Sequence, residues 1–149
     1  MKIDWKLLIM CFAAVFVVAF LGSLVTDIGP WYDSWKSPIK PPNFVFPIVW
    51  TILFAMIAVS LYLALSKKKH YFRVITVFGV NLALNFLWSL IFFGWKQGEV
   101  AFFEIIILWI SILVMIISLW KIDKRSALLL IPYLLWVLFA GYLLTTLTH

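Results

Sequence analysis

The sequence predicts an all-α integral membrane protein, a bundle of five transmembrane helices. Hydrophobic residues make up 66% of the 149-residue chain, charged residues 12%, and the mean hydropathy is +1.12. Values this apolar lie outside the range of soluble domains. Five apolar segments each approach the ~20 residues that cross a bilayer as a helix. Because the formal charge of +6 is carried at the ends of those segments, it does not indicate a nucleic-acid partner.

The five predicted spans lie in one membrane domain, 1–149, and cover 5–26, 44–65, 73–94, 100–120 and 127–147. The first span has some features of a signal peptide. However, its apolar core from Leu7 to Val25 is longer than the ~7–15 residues of a signal-peptide core, and no small-residue cleavage site follows it. We therefore predict that this segment is retained as a helix.

Basic residues are distributed unevenly between the two ends of the predicted bundle. Nine of the 12 lysines and arginines lie on the side of the N-terminus: Lys2, Lys6, Lys67, Lys68, Lys69, Arg73, Lys121, Lys124 and Arg125. The opposite side has Lys36, Lys40 and Lys96. Because short loops rich in Lys and Arg remain on the cytoplasmic side, this bias predicts a multi-pass cell membrane protein with the N-terminus inside and the C-terminus outside.

The connection between the first two spans, residues 27–43, is the longest loop. Its sequence, DIGPWYDSWKSPIKPPN, contains four prolines, which predict extended or turn backbone instead of regular helix. It also contains Trp31, Tyr32 and Trp35, which have apolar surface to bury. This first loop is either an aromatic anchor at the membrane interface or a lid over the mouth of the bundle.

The third span has two distinct faces. Asn81, Asn85 and Trp88 are spaced four and three residues apart, so they share one side of a helix. Gly79 and Ala83 lie on roughly the opposite side, at a spacing that lets another helix approach closely. The asparagines either brace the bundle or contact a ligand. The small residues contact either a neighbouring helix or the same helix in a homodimer.

Depth in the membrane favours a ligand site on the asparagine side. With a rise of 1.5 Å per residue, five side chains fall about 9–16 Å below the outer helix ends. They are Trp50, Asn85, Trp88, Trp136 and Ala140. Three indoles, an amide and a small residue in one layer would form an aromatic-walled cavity in the outer half of the bundle.

Other polar residues are weaker candidates. Glu104 lies about one turn inside the predicted fourth span, where an acid is either functional or, more commonly, snorkels or caps the helix end. His70 and His149 lie outside the apolar spans, so no histidine is placed to bind haem iron within the membrane. The sequence shows no metal-site pattern, and Cys11 is expected to be an inert buried thiol.

Three separated motifs resemble one family across nearly the whole chain. They are PPNFVFPIVWTILF (41–54), NLALNFLWSLIFFG (81–94) and PYLLWVLFAGYLL (132–144), preceded by the pair Trp31 and Tyr32. The chain resembles the translocator protein family, also known as TspO/MBR, tryptophan-rich sensory proteins or peripheral-type benzodiazepine receptors, and looks like a bacterial member. The resemblance implies binding of protoporphyrin IX, the isoquinoline carboxamide PK11195 and benzodiazepines, without a required cofactor.

The resemblance also implies a set of ligand-binding positions. These are Trp31, Tyr32, Pro41, Pro42, Trp50, Asn85, Trp88, Trp136, Phe139 and Ala140. Some family features are missing: Asn81 stands where glutamine is common, and Leu144 replaces a usual asparagine. No Lys or Arg follows Tyr142, so the cholesterol-recognition pattern is incomplete and cholesterol is not predicted as a physiological ligand.

Three hypotheses about function follow. The first is a receptor for a flat, amphipathic tetrapyrrole, in which Trp50 and Trp136 stack on or edge-pack the macrocycle and hydrogen bonds from Asn85 and Tyr32 orient it. The second is a light-dependent enzyme that degrades porphyrin, in which the same two tryptophans are catalytic. The third is a transporter, which has less support because the sequence shows no inverted repeat and no paired broken helices.

Overall fold

The computed structural model describes residues 2–148 and contains no β-strand over that range. Its helices are α1 (Trp5–Val25), α2 (Pro30–Ser34), α3 (Val45–Ser66), α4 (Tyr71–Ser89), α5 (Gly98–Trp120), α6 (Lys124–Leu129) and α7 (Ile131–Thr146). Five stretches are long and apolar enough to cross a membrane: Trp5–Val25, Val45–Ser66, Tyr71–Gly94, Gly98–Trp120 and Lys124–Thr146. The predicted all-α membrane fold with five spans is therefore confirmed.

The fifth span differs most from its predicted bounds. The carboxylate of Asp123 accepts a hydrogen bond from the backbone N–H of Arg125, so the helix starts at 124 instead of the predicted 127. Pro132 consequently lies well inside the span. Because proline lacks an N–H and its ring clashes with the carbonyl four residues back, the span is broken at Leu130 into α6 and α7.

The first loop contains a short helix that the sequence did not predict. α2 begins at Pro30, in the first helical turn, where proline's fixed φ suits the helix and its missing N–H would have no partner in any case. The expectation that the prolines exclude regular helix was therefore wrong for Pro30–Ser34. The remaining prolines of the loop lie outside helices.

A π-helical turn, Leu90–Gly94, continues α4 to the end of the third span. The backbone N–H of Trp95 donates to the carbonyl of Leu90 at 2.8 Å, a bond that spans five residues. Ile91, Phe92 and Phe93 are all buried. Three consecutive inward side chains do not fit the periodicity of a regular α-helix, so the wider turn is what directs both phenylalanines into the bundle.

The bundle has two ends of different character. The basic end carries residues 67–70 and 121–125, and the aromatic end carries the first loop. Towards the basic end the core is closely packed, with α6 in contact with both α3 and α5. The core residues in that half with no exposed surface are Ile57, Ala58, Ala64, Val74, Ile112, Met115, Leu119, Ala127 and Leu130.

Hydrogen bonds reinforce the basic half. Ser60 and Ser126 are completely buried, and each hydroxyl donates to the other residue's backbone carbonyl at 2.8 Å. Asp123 is within 3.1 Å of Arg125 and 3.7 Å of Lys67. Burial raises the pKa of the Asp123 carboxyl, but the hydrogen bonds from Arg125 and the two positive charges outweigh burial and lower it overall.

The Gly79 and Ala83 stripe faces away from the bundle. Both residues are exposed, and a Cβ added to Gly79 would meet no atom within 4 Å. The sequence left two contacts open for this stripe, a neighbouring helix of the same chain or a second protomer. The described structure shows no packing of the first kind.

Candidate ligand-binding cavity

A cavity of about 530 Å³ lies between the five spans towards the aromatic end. All five spans contribute to its wall, together with the first loop. Its aromatic lining residues are Phe16, Phe20, Tyr32, Phe46, Trp50, Phe54, Trp88, Phe92, Phe93 and Trp136. Cavities of roughly 300–1,000 Å³ with apolar walls and few polar groups are typical of sites for drug-sized ligands.

The aromatic side chains hold one another in fixed orientations. Trp50 lies 5.6 Å from the Phe54 ring centre, and its edge meets Tyr133 at 6.1 Å. One turn along the same two helices, Trp136 packs edge to face with Phe46 at 5.9 Å. Such contacts add about 0.5–1.5 kcal/mol per pair beyond area burial, so the indole faces are largely preformed before any ligand arrives.

The first loop closes the cavity at the aromatic end. Ile28 and Tyr32 line the cavity, and Tyr32 is only 4% exposed. Trp31 does not line the cavity and meets Phe92, a residue of the cavity wall, edge to face at 5.3 Å. The neighbouring positions 31 and 32 therefore have different roles: Tyr32 forms part of the wall, and Trp31 fastens the loop to the outside of it.

Lys40 clamps this loop onto the bundle. Its ammonium donates hydrogen bonds to the carbonyls of Tyr32 and Trp35, both at 3.0 Å, and lies 3.9 Å from the centre of the Tyr32 ring. A cation is favourable at these carbonyls because they form the C-terminal end of α2. Burial, and then the charge of Asp33, raise the pKa of Tyr32 to about 12.

A second attachment joins the first loop to the end of the last span. The backbones of Lys36 and Thr148 exchange hydrogen bonds of 2.7 and 2.9 Å. The hydroxyls of Ser37 and Thr146 lie 2.6 Å apart. The loop is therefore connected at two further points to the same span that supplies Trp136 to the cavity wall.

A chain of hydrogen bonds runs from the cavity wall into the bundle. The Asn85 amide nitrogen donates to the Tyr133 hydroxyl at 2.9 Å, which donates to the Asn81 amide oxygen at 3.1 Å. The Asn81 nitrogen donates to Ser111 at 2.9 Å. Asn85 lines the cavity, and Asn81, one turn deeper, has no exposed surface. Asn81 thus braces the bundle, and Asn85 is the asparagine that a ligand can reach.

Two buried N–H groups in the cavity-lining side chains have no acceptor among the described residues. The indole nitrogens of Trp88 and Trp136 are buried and have no hydrogen-bond acceptor among residues 2–148. Buried N–H groups almost always have partners, because an unpaired one costs about 1–3 kcal/mol. Unpaired donors in the wall of a cavity favour a ligand that brings acceptors with it.

The structure brings six of the ten sequence-predicted residues together around the cavity. These are Tyr32, Trp50, Asn85, Trp88, Trp136 and Ala140. The other four are Trp31, Pro41, Pro42 and Phe139, and they do not line it. Phe139 packs against Trp136, with ring centres 5.3 Å apart. Pro41 and Pro42 belong to the turn that precedes α3.

Several wall residues were not predicted from the sequence. Phe46 faces both Tyr32 and Trp136, with ring centres 5.9 Å away in each case. Phe92 stacks on Trp88 at 5.1 Å, and Phe93 completes the same wall. The paired phenylalanines before Gly94 were the available signal, but helical periodicity alone does not reveal the π turn that directs both of them inward.

Glu104 does not snorkel or cap, contrary to the expectation from its position. It is 6% exposed, and neither carboxyl oxygen has a hydrogen-bond partner among the described residues. α5 begins at Gly98, two residues before the predicted 100, so Glu104 lies further from the helix end than expected. Its spacing of three residues from Ala101 and four from Leu108 puts it on the same buried face. An unpaired acid at such a position is costly in a membrane span.

The cavity is open on one side, between α1 and α3. Phe20 and Ser23 of α1, and Pro47 and Thr51 of α3, line the cavity and are also exposed on the surface of the bundle. Phe20 is 62% exposed. These residues lie within the apolar spans, so the opening faces the side of the bundle that lipid surrounds.

Comparison with known proteins places the chain in a family. The profile of the TspO/MBR family matches residues 11–149. The chain belongs to the TspO/MBR family. Among its relatives is the tryptophan-rich protein TspO of Chlorobaculum tepidum, which is 37% identical over 91% of this chain and 90% of its own length.

Relatives from two other organisms also match over most of their length. The tryptophan-rich protein TspO of Archaeoglobus fulgidus is 38% identical over 87% of each chain. The translocator protein of Bos taurus is 28% identical over 83% of this chain and 78% of its own length. The matches span most of both chains, so the sequence similarity covers the residues of the cavity and of the first loop.

Proposed function

We propose that this TspO/MBR protein is a membrane receptor for flat, amphipathic tetrapyrroles such as protoporphyrin IX, and for ligands of the PK11195 and benzodiazepine type. The observation that carries the proposal is the cavity of about 530 Å³, whose wall includes the indoles of Trp50, Trp88 and Trp136. The ligand class comes from the family resemblance. The geometry supports it because planar aromatic ligands stack or edge-pack against preformed indole faces.

The residues around the cavity have separate roles in this proposal. Trp50 and Trp136 contact the faces or edges of the macrocycle, Asn85 orients it by a hydrogen bond, and Tyr32 closes the site above it. The tryptophans Trp88 and Trp136 offer indole N–H groups to acceptors on the ligand. Because no histidine among residues 2–148 lines the cavity, metal-free porphyrin is the expected form of the ligand.

The orientation in the membrane is part of the same proposal. The basic end would face the cytoplasm, with the N-terminus inside, and the first loop and the C-terminus would lie outside. A cysteine introduced at Ser34 should then react with an impermeant maleimide in intact cells, and one introduced at Lys68 should not. The opposite labelling pattern would reverse the assignment.

Tryptophan fluorescence tests the receptor proposal. Protoporphyrin IX added in darkness to the purified protein should quench the fluorescence with saturation, and Trp50→Phe and Trp136→Phe should each weaken the affinity. Trp5→Phe is the matched control, because Trp5 is 64% exposed and lies in the opposite half of the bundle. Absence of saturable quenching, or equal loss in the control, would reject the site.

The alternative is a light-dependent porphyrin-degrading enzyme. It is supported by the placement of two oxidisable indoles, Trp50 and Trp136, against the same cavity. Illumination in air should then remove the porphyrin absorbance faster with wild-type protein than with either Trp→Phe variant. Equal rates with and without protein would indicate simple photobleaching, and the receptor proposal would remain.

We also propose that two copies associate through Gly79 and Ala83, whose stripe no helix of the same chain covers. Gly79→Leu should not lower the stability of the protomer, since a Cβ at this position meets no atom within 4 Å and leucine favours helix more than glycine does. It should shift the protein from dimer to monomer in light scattering in detergent. An unchanged mass for the variant would exclude this surface.

A further inference from the structure

The hydrogen-bond chain behind the cavity has a direction, and that direction decides what Asn85 offers to a ligand. Ser111 lies 2.6 Å from the backbone carbonyl oxygen of Leu108. A carbonyl cannot donate, and two oxygens at this distance require a hydrogen between them. The single proton of the Ser111 hydroxyl is therefore committed to Leu108.

Each further step of the chain then follows from the preceding one. Since Ser111 can only accept from Asn81, the Asn81 amide must point its NH₂ group at Ser111 and its oxygen at Tyr133. Tyr133 has one proton, which it donates to that oxygen. Its own oxygen is left to accept, so Asn85 must donate its NH₂ group to Tyr133.

The remaining group of Asn85 is its amide oxygen. No residue of the described chain donates to that oxygen, and Asn85 is part of the cavity wall. Without the commitment of Ser111 to Leu108, the chain could run in the opposite direction with as many hydrogen bonds, and Asn85 would present its NH₂ group. The hydroxyl of Ser111 therefore decides whether Asn85 presents a hydrogen-bond acceptor or a hydrogen-bond donor to the cavity.

From this geometry we infer that Ser111, Asn81 and Tyr133 are positioning residues that make Asn85 a hydrogen-bond acceptor, so that between planar ligands of equal shape the cavity prefers the one that places an N–H or O–H donor on Asn85. This inference rests on the proposed function, because it specifies which chemistry the same cavity takes. An acceptor placed there instead would face the Asn85 oxygen and leave both groups unpaired, which is the strongest source of discrimination between ligands of equal shape.

Carbazole and dibenzofuran provide a matched pair of probes. Both are planar tricyclic aromatics of nearly the same shape, and carbazole has an N–H where dibenzofuran has an ether oxygen. Titration calorimetry of the full chain in detergent should give at least tenfold tighter binding of carbazole. Asn85→Leu, which removes the acceptor, should reduce that ratio to about one.

The positioning role is tested at Ser111, which does not line the cavity. In Ser111→Ala the chain is free to reverse, so the ratio should fall to threefold or less, and Tyr133→Phe, which breaks the chain at its centre, should have the same result. Ser118→Ala is the control. It is the same substitution two turns along α5, at a side chain that makes no hydrogen bond within residues 2–148.

The possible results are distinguishable. A ratio that falls in Ser111→Ala and Tyr133→Phe but not in Ser118→Ala supports the inference. Equal binding of both probes by the wild type, or a ratio that persists in Ser111→Ala and disappears in Asn85→Leu, would overturn it and leave the receptor proposal intact. Binding of neither probe would overturn the inference, and the quenching titration with protoporphyrin IX decides the receptor proposal separately.

Discussion

The two halves of this bundle are built from the same five spans but are packed in opposite ways. In the basic half, side chains such as Ile112, Met115 and Leu119 have no exposed surface, and Ser60 and Ser126 satisfy each other. In the aromatic half, the helices enclose a cavity of about 530 Å³, and the indole nitrogens of Trp88 and Trp136 are unpaired.

This difference teaches which half provides stability and which provides the site. Close packing with satisfied hydrogen bonds is what holds helices together in a membrane, where water offers no hydrophobic driving force between them. A void and unpaired donors reduce stability, and such features persist where they have a function. The basic half therefore stabilises the bundle while the aromatic half remains available for a ligand.

The largest expected effect comes from enlarging a side chain in the closely packed half. Ser126→Leu should lower the free energy of unfolding by about 1–3 kcal/mol, because the site has no free volume and Ser60 loses its partner. The comparison is Ala140→Leu, whose new side chain enters the cavity and should change stability by less than about 0.5 kcal/mol. Denaturant unfolding in detergent measures both. Similar losses would contradict the division between the halves.

A smaller effect is expected at the clamp of the first loop. Lys40→Met removes two hydrogen bonds and a cation–π contact, which should cost about 1 kcal/mol and raise the release rate of bound porphyrin about fivefold. Lys36→Met is the matched control, because the described contacts of Lys36 involve its backbone. Stopped-flow measurement of release gives both rates, and equal rates would show that Lys40 does not retain the loop.

The smallest effect is a pH dependence limited to the aromatic half. The pKa of Tyr32 is raised from 10.0 to about 12, so its neutral phenol favours the docked loop fully below pH 10. This contribution should be lost between pH 10 and 12. Limited proteolysis of the first loop should then accelerate across that interval in the wild type and not in Tyr32→Phe. The same acceleration in both proteins would assign the change to another group.

Most of the fold was predictable because span length and hydropathy are properties of the local sequence. The predicted helix bounds were wrong where a single residue decides where a helix begins. Asp123 extends the fifth span by capping it, which moves Pro132 from the start of the helix to its interior. Pro30 begins α2, although the four prolines of the first loop predicted no regular helix there.

The site was predictable in part, for a related reason. Trp50, Asn85, Trp88 and Trp136 could be placed by depth and face, since they lie in regular helix. Phe92 and Phe93 could not, because a π turn changes which side of the helix they occupy. The roles of Trp31 and Tyr32 depend on the rotation of α2, which no periodicity in five residues fixes.

The most direct test of the central claim is the equilibrium dissociation constant of protoporphyrin IX for Ala140→Leu, measured in darkness. Ala140 lines the cavity, so the added side chain should occupy the ligand's space and weaken binding at least tenfold, about 1.4 kcal/mol. Ala13→Leu makes the same change on the exposed surface of α1 and should bind as the wild type does. Equal affinity of the two variants would contradict the assignment of this cavity as the ligand site.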